Sequence, residues 1–291
     1  MSQFSIRSLP ETDQLESKLG TDAQTRTVDR IKDENMFSTV PVMTNNQMQN
    51  AASRRAFPIT LEDVVAEIKR RGDRKAITGM ARFGIQTSKA FGVSVPQLRE
   101  LSRKIGKNHE LAQRLWRTGI HEARILAGMI EEPARVTEDQ MEEWASDFDS
   151  WDVVDGSCGN LFDKTPFAVG KAREWSMRRE EYVKRAGFVL MAELAVHDKK
   201  VSDRTFLEFL PLIIKESSDD RNFVKKAVNW ALRQIGKRNM ALNKASIRAA
   251  NTIQKQDSRS AKWIAADALR ELASPQVQKR LRSTSKEASG K

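Results

Sequence analysis

From Pro58 onward, apolar positions recur at three- and four-residue spacing, and no strand-like alternation bounded by hairpin turns interrupts them. The pattern predicts an all-α chain. Thr60-Leu-Glu-Asp63 can cap a helix that reaches Arg71 and stops at Gly72, and Ser94-Val-Pro96 opens another that ends by Gly106. Further helices are expected over 108–116, 120–130, 137–148, 150–162, 166–178, 180–196, 202–215, 219–237, 241–255, 258–273 and 275–282. Short helices joined by short loops pair as antiparallel hairpins, each covering its neighbour's apolar face. Stacked pairs give a HEAT/armadillo-like helical-repeat solenoid with degenerate units of roughly 35 to 45 residues, and an irregular helical bundle is the competing architecture. The solenoid implies a concave surface, basic here, about the width of a duplex. Residues 1–57 are rich in Ser, Thr, Gln, Asn and Asp without sustained periodicity and read as a disordered tail. The helical domain is expected over 58–282, with a flexible end at 283–291.

One predicted helix separates into chemically opposite faces. In Phe223–Asn239, Val224, Val228, Ala231 and Ile235 fall within about 40° of one another as a core stripe. Lys226, Trp230, Arg233 and Lys237 fall on the other side. Cations neutralise phosphates and an indole packs on a sugar or base edge, so this face suits a nucleic-acid backbone. A solvated basic face with a half-buried Trp fits the same spacing.

Charge weighs on that choice. The chain carries 50 Lys+Arg and 39 Asp+Glu, net +11. Residues 1–57 and 58–218 are each neutral, whereas 219–282 hold 15 basic and 5 acidic side chains. An excess gathered into one block points to a polyanionic partner more than to a general solubility charge. An anionic membrane surface fits less well, because these helices look core-forming rather than interfacial. No apolar run approaches the ~20 residues that span a bilayer, and the start lacks a basic-then-apolar secretory pattern. With the single Cys158 excluding an internal disulfide, intracellular residence is expected, cytoplasmic and nucleoid-associated in a bacterium.

Ser150-Trp-Asp-Val-Val-Asp155 places Trp151 and Asp155 four residues apart, on one face of a helix. The ring can support an electron-poor group and the carboxylate can stabilise developing positive charge. Trp151 can equally be core, and Asp152 or Asp155 can serve only the helix dipole. Eight carboxylates between Glu138 and Asp155 have no intervening base, so most must point away from DNA. Zinc and nucleotide chemistry find little support: Ile125 stands where a second zincin histidine would follow His121-Glu122, and neither GxxxxGK[ST] nor GxGxxG occurs. No cofactor and no metal are expected.

Several segments together resemble the AlkD-like family of DNA alkylation repair enzymes, which are built from HEAT-like repeats. They are Phe91-Gly-Val-Ser-Val-Pro96-Gln-Leu-Arg99, His121-Glu-Ala-Arg124-Ile-Leu-Ala127, Trp151-Asp-Val-Val-Asp155, Lys184-Arg185-Ala186 and Phe223-Val-Lys-Lys-Ala-Val-Asn-Trp230-Ala-Leu-Arg233. The resemblance covers about half the chain. It implies that Trp151, Trp230 and Asp155 occupy the family's active-site aromatic and acid positions, and that Arg185 is its DNA-contacting arginine. It further implies hydrolysis of N3- or N7-alkylated purines from double-stranded DNA. A monomer is expected. Asp155 would be catalytic, steadying an oxocarbenium-like sugar and the attacking water, with the lesion held through the DNA backbone. A non-catalytic binder of damaged or branched DNA, and a helical scaffold for an acidic protein, are the alternatives. Because the first 57 residues lack a core-forming pattern, deleting them is expected to leave the melting temperature nearly unchanged. Loss of cooperative unfolding in the truncated protein would contradict that boundary.

Overall fold

The computed structural model describes residues 59–289, with side chains to Ser283. The expected tail 1–57 lies outside the described residues. Fourteen α-helices and no strands occur among those described. In chain order they are α1 (Leu61–Arg70), α2 (Arg74–Arg82), α3 (Val95–Ile105), α4 (His109–Arg117), α5 (His121–Ile130), α6 (Glu138–Ser146) and α7 (Trp151–Asn160). Then follow α8 (Ala168–Ser176), α9 (Glu181–His197), α10 (Asp203–Glu216), α11 (Asn222–Gly236), α12 (Met240–Gln254), α13 (Arg259–Leu272) and α14 (Pro275–Ser289). The all-α expectation is met. Thr60 and Asp63 form a reciprocal capping box for α1, and Ser94 with Gln97 forms another for α3.

Two elements differ from the sequence reading. Helix α2 was not expected: its apolar face is only Ala76, Ile77 and Met80 within nine residues, and it buries no residue, so the periodic signal is short. Its ends are fixed locally instead, by the Asp73 side chain accepting from the Lys75 N–H at 2.8 Å and by a glycine turn at Gly84. The last helix also continues to Ser289, past the expected end at 282.

The odd-numbered helices α5, α7, α9, α11 and α13 form one row, each packed on the next. The row is parallel. First turns meet first turns, as in His121 to Asp152 across α5 and α7 and Arg185 to Asp155 across α9 and α7, while Arg238 just after α11 reaches the carbonyl of Ala195 near the end of α9. The even-numbered helices α4, α6, α8, α10 and α12 back this row. Trp116 of α4 stacks on Trp144 of α6 with centroids 4.0 Å apart and planes 3° apart. Phe162 bridges Trp144 to Trp175 of α8, with centroid distances of 6.1 and 5.9 Å. Bulky rings thus space the backing helices, while Gly187 lets α9 close on α8. A Cβ at Gly187 would lie 2.3 Å from the backbone nitrogen of Ser176.

The fully buried carboxylate of Glu122, in the first turn of α5, organises the loop before α3. It accepts from the N–H groups of Phe91, Gly92 and Val93 at 2.9, 2.7 and 3.2 Å. Backbone donors that cannot reach water must find such an acceptor. Glu122→Ala would leave three buried N–H groups unpaired, each costing about 1–3 kcal/mol. The expected outcome is a destabilisation of about 3 kcal/mol or more in urea unfolding, with Glu122→Gln losing less; a change within about 0.5 kcal/mol would show that the loop's bonds do not hold the fold.

Candidate nucleic-acid interface and active site

The first turns of the parallel row converge on one end of the domain. Trp151 and Asp155 share a face of α7, as their spacing predicts. Asp155 Oδ1 accepts from Arg185 Nε at 2.9 Å and Oδ2 from Nη2 at 2.7 Å, a two-point clamp. Arg185 Nη1 donates to the carbonyl of Phe223 at 2.7 Å, and the guanidinium carbon lies 5.7 Å from the Trp151 ring centroid. Trp151 Nε1 in turn donates to the carbonyl of Phe83 at 3.1 Å. Tyr182 stacks on Phe223 with centroids 5.8 Å apart. One guanidinium therefore ties together α7, α9 and α11 under an indole.

Burial pushes the Asp155 carboxyl above its ordinary pKa; the charge and hydrogen bonds of Arg185 oppose the shift, and nearby Asp152 adds to it. The carboxylate's side chain keeps 23 % of its exposure. Asp155 is thus fixed in orientation while one edge stays open to solvent.

Much of the acidic run expected to point away from DNA is paired with basic side chains across helix contacts. Lys171 of α8 is buried and pairs with Glu138, Glu142 and Glu174 at 2.9, 2.7 and 2.9 Å. Arg124 reaches Asp147 and Asp149 at 3.3 and 3.5 Å. His121 Nε2 lies 2.9 Å from Asp152 Oδ2, whose other oxygen accepts from the Ser150 hydroxyl at 2.5 Å. Burial disfavours both charged forms, but the mutual hydrogen bond and attraction outweigh it, raising the His121 pKa and lowering that of Asp152. The dipole role considered for Asp152 is therefore joined by a structural one, tying α5 to α7.

On α11, Val224, Val228, Ala231 and Ile235 are buried as the stripe predicts. Lys226 is exposed, and Trp230 is half-buried against the core. Two other positions on that face differ from expectation. Arg233 pairs with Asp267 at 3.0 Å and with Glu271, and Lys237 pairs with Glu271 at 2.7 Å, so carboxylates of α13 hold both cations. Arg185 differs too. Expected as a DNA contact, it is buried, with Nε, Nη1 and Nη2 all engaged inside the protein. Part of the C-terminal surplus also lies on the backing row, where Lys244, Arg248 and Lys255 are exposed on or just after α12.

Residues the sequence reading did not single out complete this end. Tyr182 precedes Arg185 by three residues on α9, a spacing visible in the sequence, but its ring partner Phe223 comes from another helix. Lys225 lies 5.3 Å from the ring centroid of Trp263, which is 44 % exposed on the first turns of α13. At the opposite end of α9, donor atoms of Asp163, Glu193 and His197 lie within 4.8 Å of one another. Asp163 there already accepts from the Lys164 ammonium at 2.7 Å and contacts His197 Nδ1 at 2.8 Å. No helix among the described residues is long and apolar enough to cross a membrane.

A solved structure described as "A new family of proteins related to the HEAT-like repeat DNA glycosylases with affinity for branched DNA structures" aligns with TM-score 0.63 and 19% identity, covering 73% of this chain and 95% of that one. It shows a HEAT-like repeat fold. A designed armadillo repeat protein in complex with the peptide (KR)4 aligns with TM-score 0.29 and 15% identity over 64% of this chain and 79% of that one. No curated protein matches. The sequence profile of the DNA alkylation repair enzyme family matches residues 64–281, from the first turn of α1 to the middle of α14. The chain belongs to the DNA alkylation repair enzyme family.

Proposed function

We propose that the protein hydrolyses the N-glycosidic bond of N3- or N7-alkylated purines in double-stranded DNA. The observation that carries this reading is Asp155: an open-edged carboxylate beside Trp151, clamped by Arg185 where α7, α9 and α11 meet, at the end of the row where the helices begin. The positive ends of the helix dipoles favour phosphate at that end. An alkylated purine is cationic, so the bond from C1′ to the purine nitrogen breaks with its electron pair leaving on the base. The sugar becomes oxocarbenium-like, and a fixed carboxylate stabilises that charge without reorganising. Water then adds to C1′, with a lone pair of Asp155 not used by Arg185 accepting its proton.

In this reading Trp151 and Trp230 pack against the sugar or backbone flanking the lesion, Lys226 neutralises phosphate, and Arg185 positions the acid. No cofactor or metal takes part in these steps, and one chain supplies all of these groups. A second reading, a non-catalytic binder of damaged or branched DNA, draws on the internal pairing of Asp155 with Arg185 and on the branched-DNA affinity described for the similar solved structure. Release of 7-methylguanine from methylated duplex distinguishes the two. A scaffold for an acidic protein would show neither release nor duplex affinity.

Asp155→Asn is expected to lower single-turnover base release by on the order of 10²- to 10³-fold while duplex affinity persists, with circular dichroism melting separating this loss from the weakening of the Arg185 clamp. Equal rates in the two proteins would remove Asp155 from catalysis. Because the ionised carboxylate is the active form, the wild-type rate should fall as pH drops through a pKa above the ordinary 3.8, and a pH-independent acid range would contradict that role. Asp152→Asn makes a poor neutral control, since it also breaks the His121 pair.

For binding, Lys226→Gln should flatten the salt dependence by about one unit of slope, uniformly across sequences. Arg233→Gln with Lys237→Gln should change the slope less and lower stability more, because Asp267 and Glu271 lose partners. The reverse order, read by titration at several salt concentrations, would place the duplex on the α13 side of that helix.

A further inference from the structure

Phe83 has no part in the chemistry above, yet it lies against the site. It is 73 % exposed, more than any other large apolar side chain among the described residues. Single exposed aromatic residues are ordinary on protein surfaces. What sets Phe83 apart is that its neighbours fix its backbone without covering its ring. Gly84 N–H donates to the carbonyl of Ala81 at 3.0 Å and Ile85 N–H to that of Met80 at 3.2 Å, the double bond pattern of a glycine-terminated helix end. Gly84 has φ of 72°, and a Cβ there would stand 2.7 Å from Phe223 Cζ. Only glycine allows this turn to rest on that ring. The carbonyl of Phe83 is held by Trp151 Nε1. The turn therefore touches both Trp151 and Phe223 and leaves the Phe83 ring in water next to the Asp155 clamp.

The helix that carries it is equally unusual. α2 buries none of its residues, and its Arg74, Lys75 and Arg82 are exposed with no ion pair found for them among the described residues. Most cations near Asp155 are engaged by carboxylates; these three remain available to a polyanion. An apolar ring at the end of a short basic helix matches the way proteins unstack a base step, with cations on the flanking phosphates and a side chain entering between bases.

We propose that Phe83 is an apolar wedge that enters the duplex at the base step beside the lesion, with Arg74, Lys75 and Arg82 on the flanking phosphates. This rests on the reading that DNA docks at the Asp155 end. The wedge bends the strand toward the carboxylate and exposes C1′ of the damaged nucleotide to Asp155 without a deep pocket for the base. It forms no covalent bond, so its effect is confined to stacking and geometry.

The test uses the full chain and a duplex carrying 2-aminopurine next to a stable abasic-site analogue. Wild type should raise the 2-aminopurine fluorescence on saturation, because an unstacked base is no longer quenched. Phe83→Ala should lose most of that rise and bind on the order of tenfold more weakly, within the range of one lost stacking contact. The salt slope should not change, since no phosphate contact is removed. Phe83→Leu, which keeps apolar bulk, should retain part of the signal, and circular dichroism melting shows that both variants are folded. A Phe83→Ala signal equal to wild type, or a flattened salt slope, would overturn the wedge. Salt-dependent binding by wild type without any fluorescence rise would overturn the wedge alone, whereas absence of duplex affinity would overturn the DNA-docking reading with it.

Discussion

The clamp between Arg185 and Asp155 is the contact on which the candidate site depends. A guanidinium offers donors in a rigid planar fork, and here Nε and Nη2 take both oxygens of one carboxylate while Nη1 takes a backbone carbonyl on a third helix. Lys could not reproduce this geometry with a single ammonium. The pair fixes the relative positions of α7, α9 and α11, and with them the separation of Trp151 from Phe223 and Tyr182. Because both partners are largely buried, removing either one leaves a charge without compensation. Arg185 is therefore a structural and positioning residue as much as a contributor to the local field.

Around that clamp, the fold settles most of its charges in pairs that cross helix boundaries. Glu122 serves three backbone donors, His121 holds Asp152, and Lys171 gathers three carboxylates. These contacts sit at helix starts or between successive helices of a row, where they fix how far one helix slides on the next. Apolar burial alone gives a weaker constraint on sliding, since small residues and aliphatic side chains repack with modest changes. The aromatic series from Trp116 to Trp175 plays the matching part on the backing row.

The parallel row gives the site its electrostatic character. Several first turns lie side by side, so the end of the domain bearing Asp155 is also the positive end of several helix dipoles. Under the proposed glycosidic hydrolysis, a carboxylate placed there would lie among phosphate-binding features and face the sugar cation formed as the base departs. Asp155 combines those properties because it is clamped from inside and open on one edge.

The sequence by itself determined the helical class, almost every helix, the caps of α1 and α3, and the pairing of Trp151 with Asp155 on one face. Those features follow from periodicity and local capping chemistry, which act within a few residues. The core stripe of α11 was legible for the same reason. Helix α2 was not, because its apolar face spans only Ala76, Ile77 and Met80 and its end is fixed by turn geometry and by contacts with Trp151 and Phe223, far along the chain. Tertiary structure alone decided which charges are available. Arg185, Arg233 and Lys237 read as cations facing outward when their own helix is considered, yet each meets a carboxylate on a neighbouring helix, more than thirty residues away for Arg233 and Lys237 and about thirty for Arg185. A helical wheel gives the direction of a side chain but not what the next helix in the row places opposite it. That second half of the information exists only once the helices are packed.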